Sequence, residues 1–156
     1  MKIIFSFFLL SILNLTLLAQ PAIDETLLGS AFCHHFSGFI TKCGILEELK
    51  VDGPYTIFAP NDDALLKLPR GTIYAMSNPE NEEEMAKLRE FVGKYIVKGT
   101  YDIAKLKTVK ELTTINNFKI VVLPGFRDTK VNGILLEHKD IKSKGALIHT
   151  VGTIFP

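Results

Sequence analysis

The chain has 156 residues, with 18 basic and 17 acidic side chains, eleven Phe, no Trp and two Cys. That length suits one domain with its own hydrophobic core, and the cysteine content is far below that of a small disulfide-held scaffold. The charges balance and no run of Lys or Arg occurs, so the positive surplus that binds nucleic acid or an anionic membrane electrostatically is missing from the sequence, and neither partner is expected.

The N-terminus opens with Lys2 and an apolar run from Ile3 to Leu18, interrupted only by Ser6, Ser11, Asn14 and Thr16. A bilayer span takes about 20 apolar residues; this run is shorter, follows a positive charge and ends at a small residue, Ala19, which suits signal peptidase. Residues 1–19 are therefore expected to be a signal peptide. Cleavage before Gln20 would leave a secreted, extracellular or cell-surface protein without stable membrane insertion. It would also remove Lys2, the one charged residue of that segment, and leave seventeen basic and seventeen acidic side chains.

From Asp24 to Lys50 the apolar residues recur at helical spacing (Leu27, Leu28, Ala31, Phe32, Phe36, Phe39, Ile40, Ile45, Leu46, Leu49), with Gly38 and Gly44 as expected breaks, so two or three short helices are predicted. Gly53-Pro54 then reads as a turn, and Tyr55 to Ala59 as a buried strand rich in β-branched and aromatic residues, ended by Pro60. Asn61 is a predicted N-cap, with Asp62 and Asp63 complementing the dipole of a short helix through Leu65, Leu66 and Leu68. Asn81 caps a longer predicted helix whose stripe is Met85, Leu88, Phe91 and Val92.

After Gly99 the apolar residues come in short β-branched runs: Leu112 to Ile115, Phe118 to Leu123, Val131, Ile134 to Leu136, Ile141 and Leu147 to Val151. Asn116-Asn117 and Asn132-Gly133 are hairpin signals, because both residue types tolerate positive φ. Helices before Gly99 and strands after it predict an α+β domain and argue against a βαβ parallel sheet.

Cys33 and Cys43 form an isolated pair, which in an oxidising compartment is most simply a disulfide. Ten residues of continuous helix would hold them about 15 Å apart, so the bridge requires a helix break near Gly38; two separate buried thiols are the alternative. Cys33-His34-His35 does not predict a metal site, since adjacent helical residues diverge by about 100° and no C-x-x-C or H-x-x-x-H spacing supports one. Catalytic signatures such as G-x-S-x-G and H-E-x-x-H are missing, so no enzyme and no cofactor is expected. Asp62 and Asp63 read as helix-start residues, and His149 as a strand side chain bonded to backbone.

Two stretches carry a resemblance. The first is Tyr55-Thr56-Ile57-Phe58-Ala59-Pro60-Asn61-Asp62-Asp63-Ala64-Leu65; the second combines Val131-Asn132-Gly133, Asp140-Ile141, Gly145 to His149 and a closing strand to Pro156. Between them lie Lys94 to Tyr101 and Glu111 to Thr114, in the same order as in the family. The chain resembles the fasciclin domain. Three positions depart from its pattern: Tyr95 replaces the usual His, Ala146 lengthens the Gly-Val-Ile-His segment by one, and Gly152 stands where Asp is common.

The resemblance implies a wedge of two β-sheets with the N-terminal and middle helices along one side, residues 36–156 as the domain and residues 20–35 as an N-terminal helical extension. It implies a secreted module, expected as a monomer, that binds a matrix component, a cell-surface receptor or a polysaccharide. The alternative is a carrier of small hydrophobic ligands or lipid. Family members present an Asp-Ile dipeptide linked to integrin binding, which points to Asp140 and Ile141, and Tyr95 lies in the other segment tied to adhesion.

Overall fold

A computed structural model describes residues 19–29 and 31–156. The expected signal segment through Leu18 lies outside the described residues. Among the described residues, no helix is long and apolar enough to cross a membrane.

Three helices come first: α1 (Ile23–Leu28), α2 (His34–Lys42) and α3 (Ile45–Asp52). α2 runs through Gly38 without a break. The interruption falls at Gly44, whose φ of 76° is the left-handed geometry that ends a helix and that glycine adopts without steric cost. Strand β1 (Tyr55–Pro60) follows, then α4 (Asp62–Leu66), α5 (Thr72–Ser77), α6 (Glu82–Gly93), β2 (Ile96–Lys98) and α7 (Ile103–Leu106). The remainder is β3 (Glu111–Thr113), β4 (Lys119–Pro124), β5 (Thr129–Val131), β6 (Ile134–Leu135), β7 (Ile141–Ser143) and β8 (Ala146–Val151). Both expected Asn caps form: Asn61 Oδ1 accepts the Ala64 N–H at 2.8 Å, and Asn81 Oδ1 accepts the Glu84 N–H at 2.9 Å. Two short helices depart from the sequence reading. α5 carries no fully buried residue and turns only the partly buried Ile73 and Met76 to the core, and α7 is a single turn inside the β-rich half.

The strands form two four-stranded sheets, ordered β2-β1-β8-β7 and β3-β4-β5-β6. In the first, β1 pairs with β8 in parallel, and every residue of both strands is buried. A strand covered on both faces has no solvent side, which is why neither shows an alternating pattern. In the second sheet, Asn132 and Gly133, with φ of 50° and 76°, close the two-residue turn between Val131 and Ile134. The sheets touch at two bridges, Val97 with Thr114 and Leu136 with Val151. The expected α+β architecture with two sheets is what the chain adopts.

Aromatic contacts tie the helices to one another and to the segments that flank the sheets. Phe36 meets Tyr95 edge-on at 5.5 Å, Phe39 meets Phe91 at 6.3 Å, and Tyr95 stacks on Phe155 at 4.7 Å. Such pairs add about 1 kcal/mol each to the burial of the rings themselves. The N-terminal extension belongs to the same core: Ile23 and Leu27 are buried, and the Pro21 carbonyl accepts the Lys144 N–H at 2.9 Å and the Ser143 hydroxyl at 3.2 Å.

Candidate functional site

Asp140 sits in the loop that enters β7, with φ of 54°, a left-handed geometry that Asp tolerates better than most residues. Its Oδ1 accepts the Ile103 N–H at 3.0 Å, which ties the loop to the first residue of α7. Its own N–H donates to His149 Nδ1 at 3.2 Å. The side chain remains 43 % exposed, so the carboxylate is both anchored and presented to solvent. Ile141 is half-buried against the core and pairs across the sheet with Ile148.

His149, from the middle of β8, is the buried pin of this corner. The ring is 0 % exposed and stacks on Phe58 at 5.5 Å. Nδ1 accepts from Asp140, and Nε2 lies 2.8 Å from the Tyr101 carbonyl, which can only accept. Those two bonds fix the neutral tautomer with hydrogen on Nε2. Burial pushes its pKa down, against the opposing pull of the Tyr101 carbonyl and of Asp140. With both nitrogens committed to backbone, the ring has no free site for abstracting a substrate proton, as a general base must.

The other residues singled out in the sequence fall elsewhere. Tyr95 is 0 % exposed between Phe36 and Phe155, its hydroxyl accepts the Phe155 N–H at 3.0 Å, and burial pushes its pKa up to about 12. Its expected contact with a partner therefore gives way to a core role. The expected Cys33–Cys43 disulfide is also corrected: both thiols are free and buried. They flank an unbroken α2 at its two ends, and a helix of that length keeps them well beyond bridging distance. Burial, followed by the nearby Asp62 and Glu137 charges, pushes the Cys33 thiol up to about 12.

Asp62 has a second task that local sequence does not show. Beyond opening α4, its Oδ1 accepts the His35 N–H at 2.9 Å and its Oδ2 meets His34 Nδ1 at 2.7 Å. It thereby caps α2, whose own N-cap, Cys33, supplies no side-chain bond. Burial works to raise the Asp62 carboxyl, yet the bonds from His35 and His34 hold it below the usual carboxylate value. Among the described residues, no group of three or more His, Cys, Asp or Glu is arranged to hold a metal ion.

The model of the fasciclin domain matches residues 32–155. The chain belongs to the fasciclin domain family. Protein sll1483 of Synechocystis sp. is 26% identical over 115 residues, which are 74% of this chain and 62% of that protein. The uncharacterized protein sll1735 of the same organism is 26% identical over 117 residues, covering 74% of this chain and 82% of its own length. The chain thus spans less than two thirds of the first of these relatives. Among solved structures, a FAS1 domain pair from the insect cell adhesion molecule Fasciclin I shares the fold with a TM-score of 0.71 at 12% identity, over 88% of this chain and 51% of that one. In fasciclin terms, the segment around Tyr95 packs the interior here, while the Asp-Ile segment lies at the surface beside α7.

Proposed function

We propose that this fasciclin domain is a secreted adhesion module that binds a matrix component, cell-surface receptor or surface polysaccharide through the face carrying Asp140 and Ile141. The observation that carries the reading is the state of the Asp140 carboxylate, fixed in position by the Ile103 N–H yet 43 % exposed. A pre-positioned, half-exposed anion beside an apolar residue is suited to a charge-assisted contact, because little freedom is lost on binding. The solved structure that shares the fold comes from a cell adhesion molecule.

The carrier reading has less support. Large side chains, among them Tyr95, Phe36, Phe39 and Phe58, fill the core. A cleft of about 460 Å³ opens at the surface near Ile23, Val51 and Lys144 rather than between the sheets.

Asp140→Asn is the test. Asn keeps the shape, tolerates the positive φ and retains an oxygen for the Ile103 N–H, so the thermal midpoint is expected to hold while adhesion to cells or matrix falls about tenfold. Unchanged adhesion at an unchanged midpoint would remove Asp140 from the binding face. Secretion is checked separately by N-terminal sequencing of extracellular protein, which is expected to begin near Gln20.

A further inference from the structure

The outer face of the second sheet carries exposed apolar side chains that the fold itself does not use. Along β4, Val121 and Leu123 point outward, alternating with the buried Ile120 and Val122. Leu123 lies opposite Lys130 and Lys130 opposite Leu135, so the three form one row across the sheet. At the tip of the β4–β5 hairpin Phe126 is 95 % exposed. The tip is held tight, since a methyl group on Gly125 would collide with the Asp128 carbonyl. Phe126 is therefore presented rather than tucked away.

The charges are ordered relative to this tip. Arg127 follows Phe126 directly and Lys130 lies three residues on, within β5; neither is in an ion pair among the described residues. The acids nearby are engaged: Glu111 pairs with Lys119, and Asp128 lies 3.8 Å from Lys139. Phe126 leads at the tip with Arg127 beside it, and Lys130 lies behind in one row with Leu123 and Leu135; at a lipid interface an aromatic side chain enters the acyl boundary while Arg or Lys meets the headgroups.

We propose that the β4–β5 hairpin, led by Phe126 and backed by Arg127 and Lys130, docks reversibly on an anionic lipid surface. The contact is peripheral, with a short tip entering the interface, and adjoins the Asp140 loop through the Asp128–Lys139 pair without using Asp140 or Ile141. It would hold the domain at a membrane while Asp140 stays open to a partner.

Vesicle flotation of the protein tests this, with phosphatidylcholine alone against phosphatidylcholine mixed with phosphatidylserine. Binding is expected only to the anionic vesicles and is expected to weaken at high salt. Phe126→Ser should lower the apparent affinity about tenfold, and Lys130→Ala about fivefold. Both variants should keep the parent thermal midpoint, because neither side chain is packed in the core. Failure to float with anionic vesicles at low salt, or equal flotation of the parent and Phe126→Ser, would overturn the proposal. So would self-association that Phe126→Ser abolishes while vesicle binding persists, since the face would then join two copies of the chain.

Discussion

Replacing His149 with Leu keeps a side chain of similar bulk against Phe58 but deletes both ring nitrogens. The Tyr101 carbonyl and the Asp140 N–H, bonded to His149 at 2.8 and 3.2 Å, would lose their partners in one step. Leaving two such groups unpaired costs about 3 kcal/mol in total. With an unfolding entropy typical of a domain this size, that lowers the thermal midpoint by about 10 °C. The substitution also changes the acid response. Because burial holds the His149 pKa below its ordinary value of 6.5, the unfolded chain takes up a proton on this residue before the folded protein does. Its contribution is therefore complete above about pH 6.5 and is lost as pH falls from there towards the folded value, at up to about 1.4 kcal/mol per pH unit. Thermal unfolding of parent and variant at about pH 7.5 and about pH 5 reads both effects. The Leu variant should start lower and lose less on acidification. A midpoint within about 2 °C of the parent, or an acid-side loss as large as the parent's, would refute the assignment of His149 as a neutral, doubly bonded pin.

Tyr95→Phe removes the hydroxyl that accepts the Phe155 N–H and should cost about 1–2 kcal/mol in denaturant unfolding, with adhesion unchanged once the protein is folded; reduced adhesion at full stability would return Tyr95 to the binding face. Native protein should resist thiol alkylation at neutral pH, because both cysteines are buried and the Cys33 pKa stands at about 12. Two modified thiols should appear after unfolding without reductant, and a Cys33–Cys43 cross-linked peptide would contradict the continuous α2 helix.

Much of the domain was legible from local pattern alone. Asn61 and Asn81 announced helix starts because a short polar side chain before an apolar stripe has one favourable local use, and Asn132-Gly133 announced its turn because few residues accept two successive positive φ values. The reading failed where the local signal is weak. Gly38 was expected to break a helix, but a glycine there costs only about 1 kcal/mol relative to Ala, which the burial of Phe36, Phe39 and Ile40 on the same helix outweighs. The disulfide expectation rested on that break and fell with it. α7 was missed because its four residues carry little apolar periodicity, and its start is held by Asp102 and by Asp140 from a distant loop.

The sequence by itself determined the fold class and most of the strand-forming segments, since these follow from periodicity, caps and turn residues only a few positions apart, and the resemblance of two motif stretches pointed to the family. The tertiary structure decided which of those residues are accessible. It buried Tyr95, left Asp140 half in solvent and set Leu123, Lys130 and Leu135 in one row behind an exposed Phe126, in a chain whose overall charge is close to balanced. Burial and charge clustering depend on what packs against a residue from far along the chain. A pattern read one neighbourhood at a time carries no record of that.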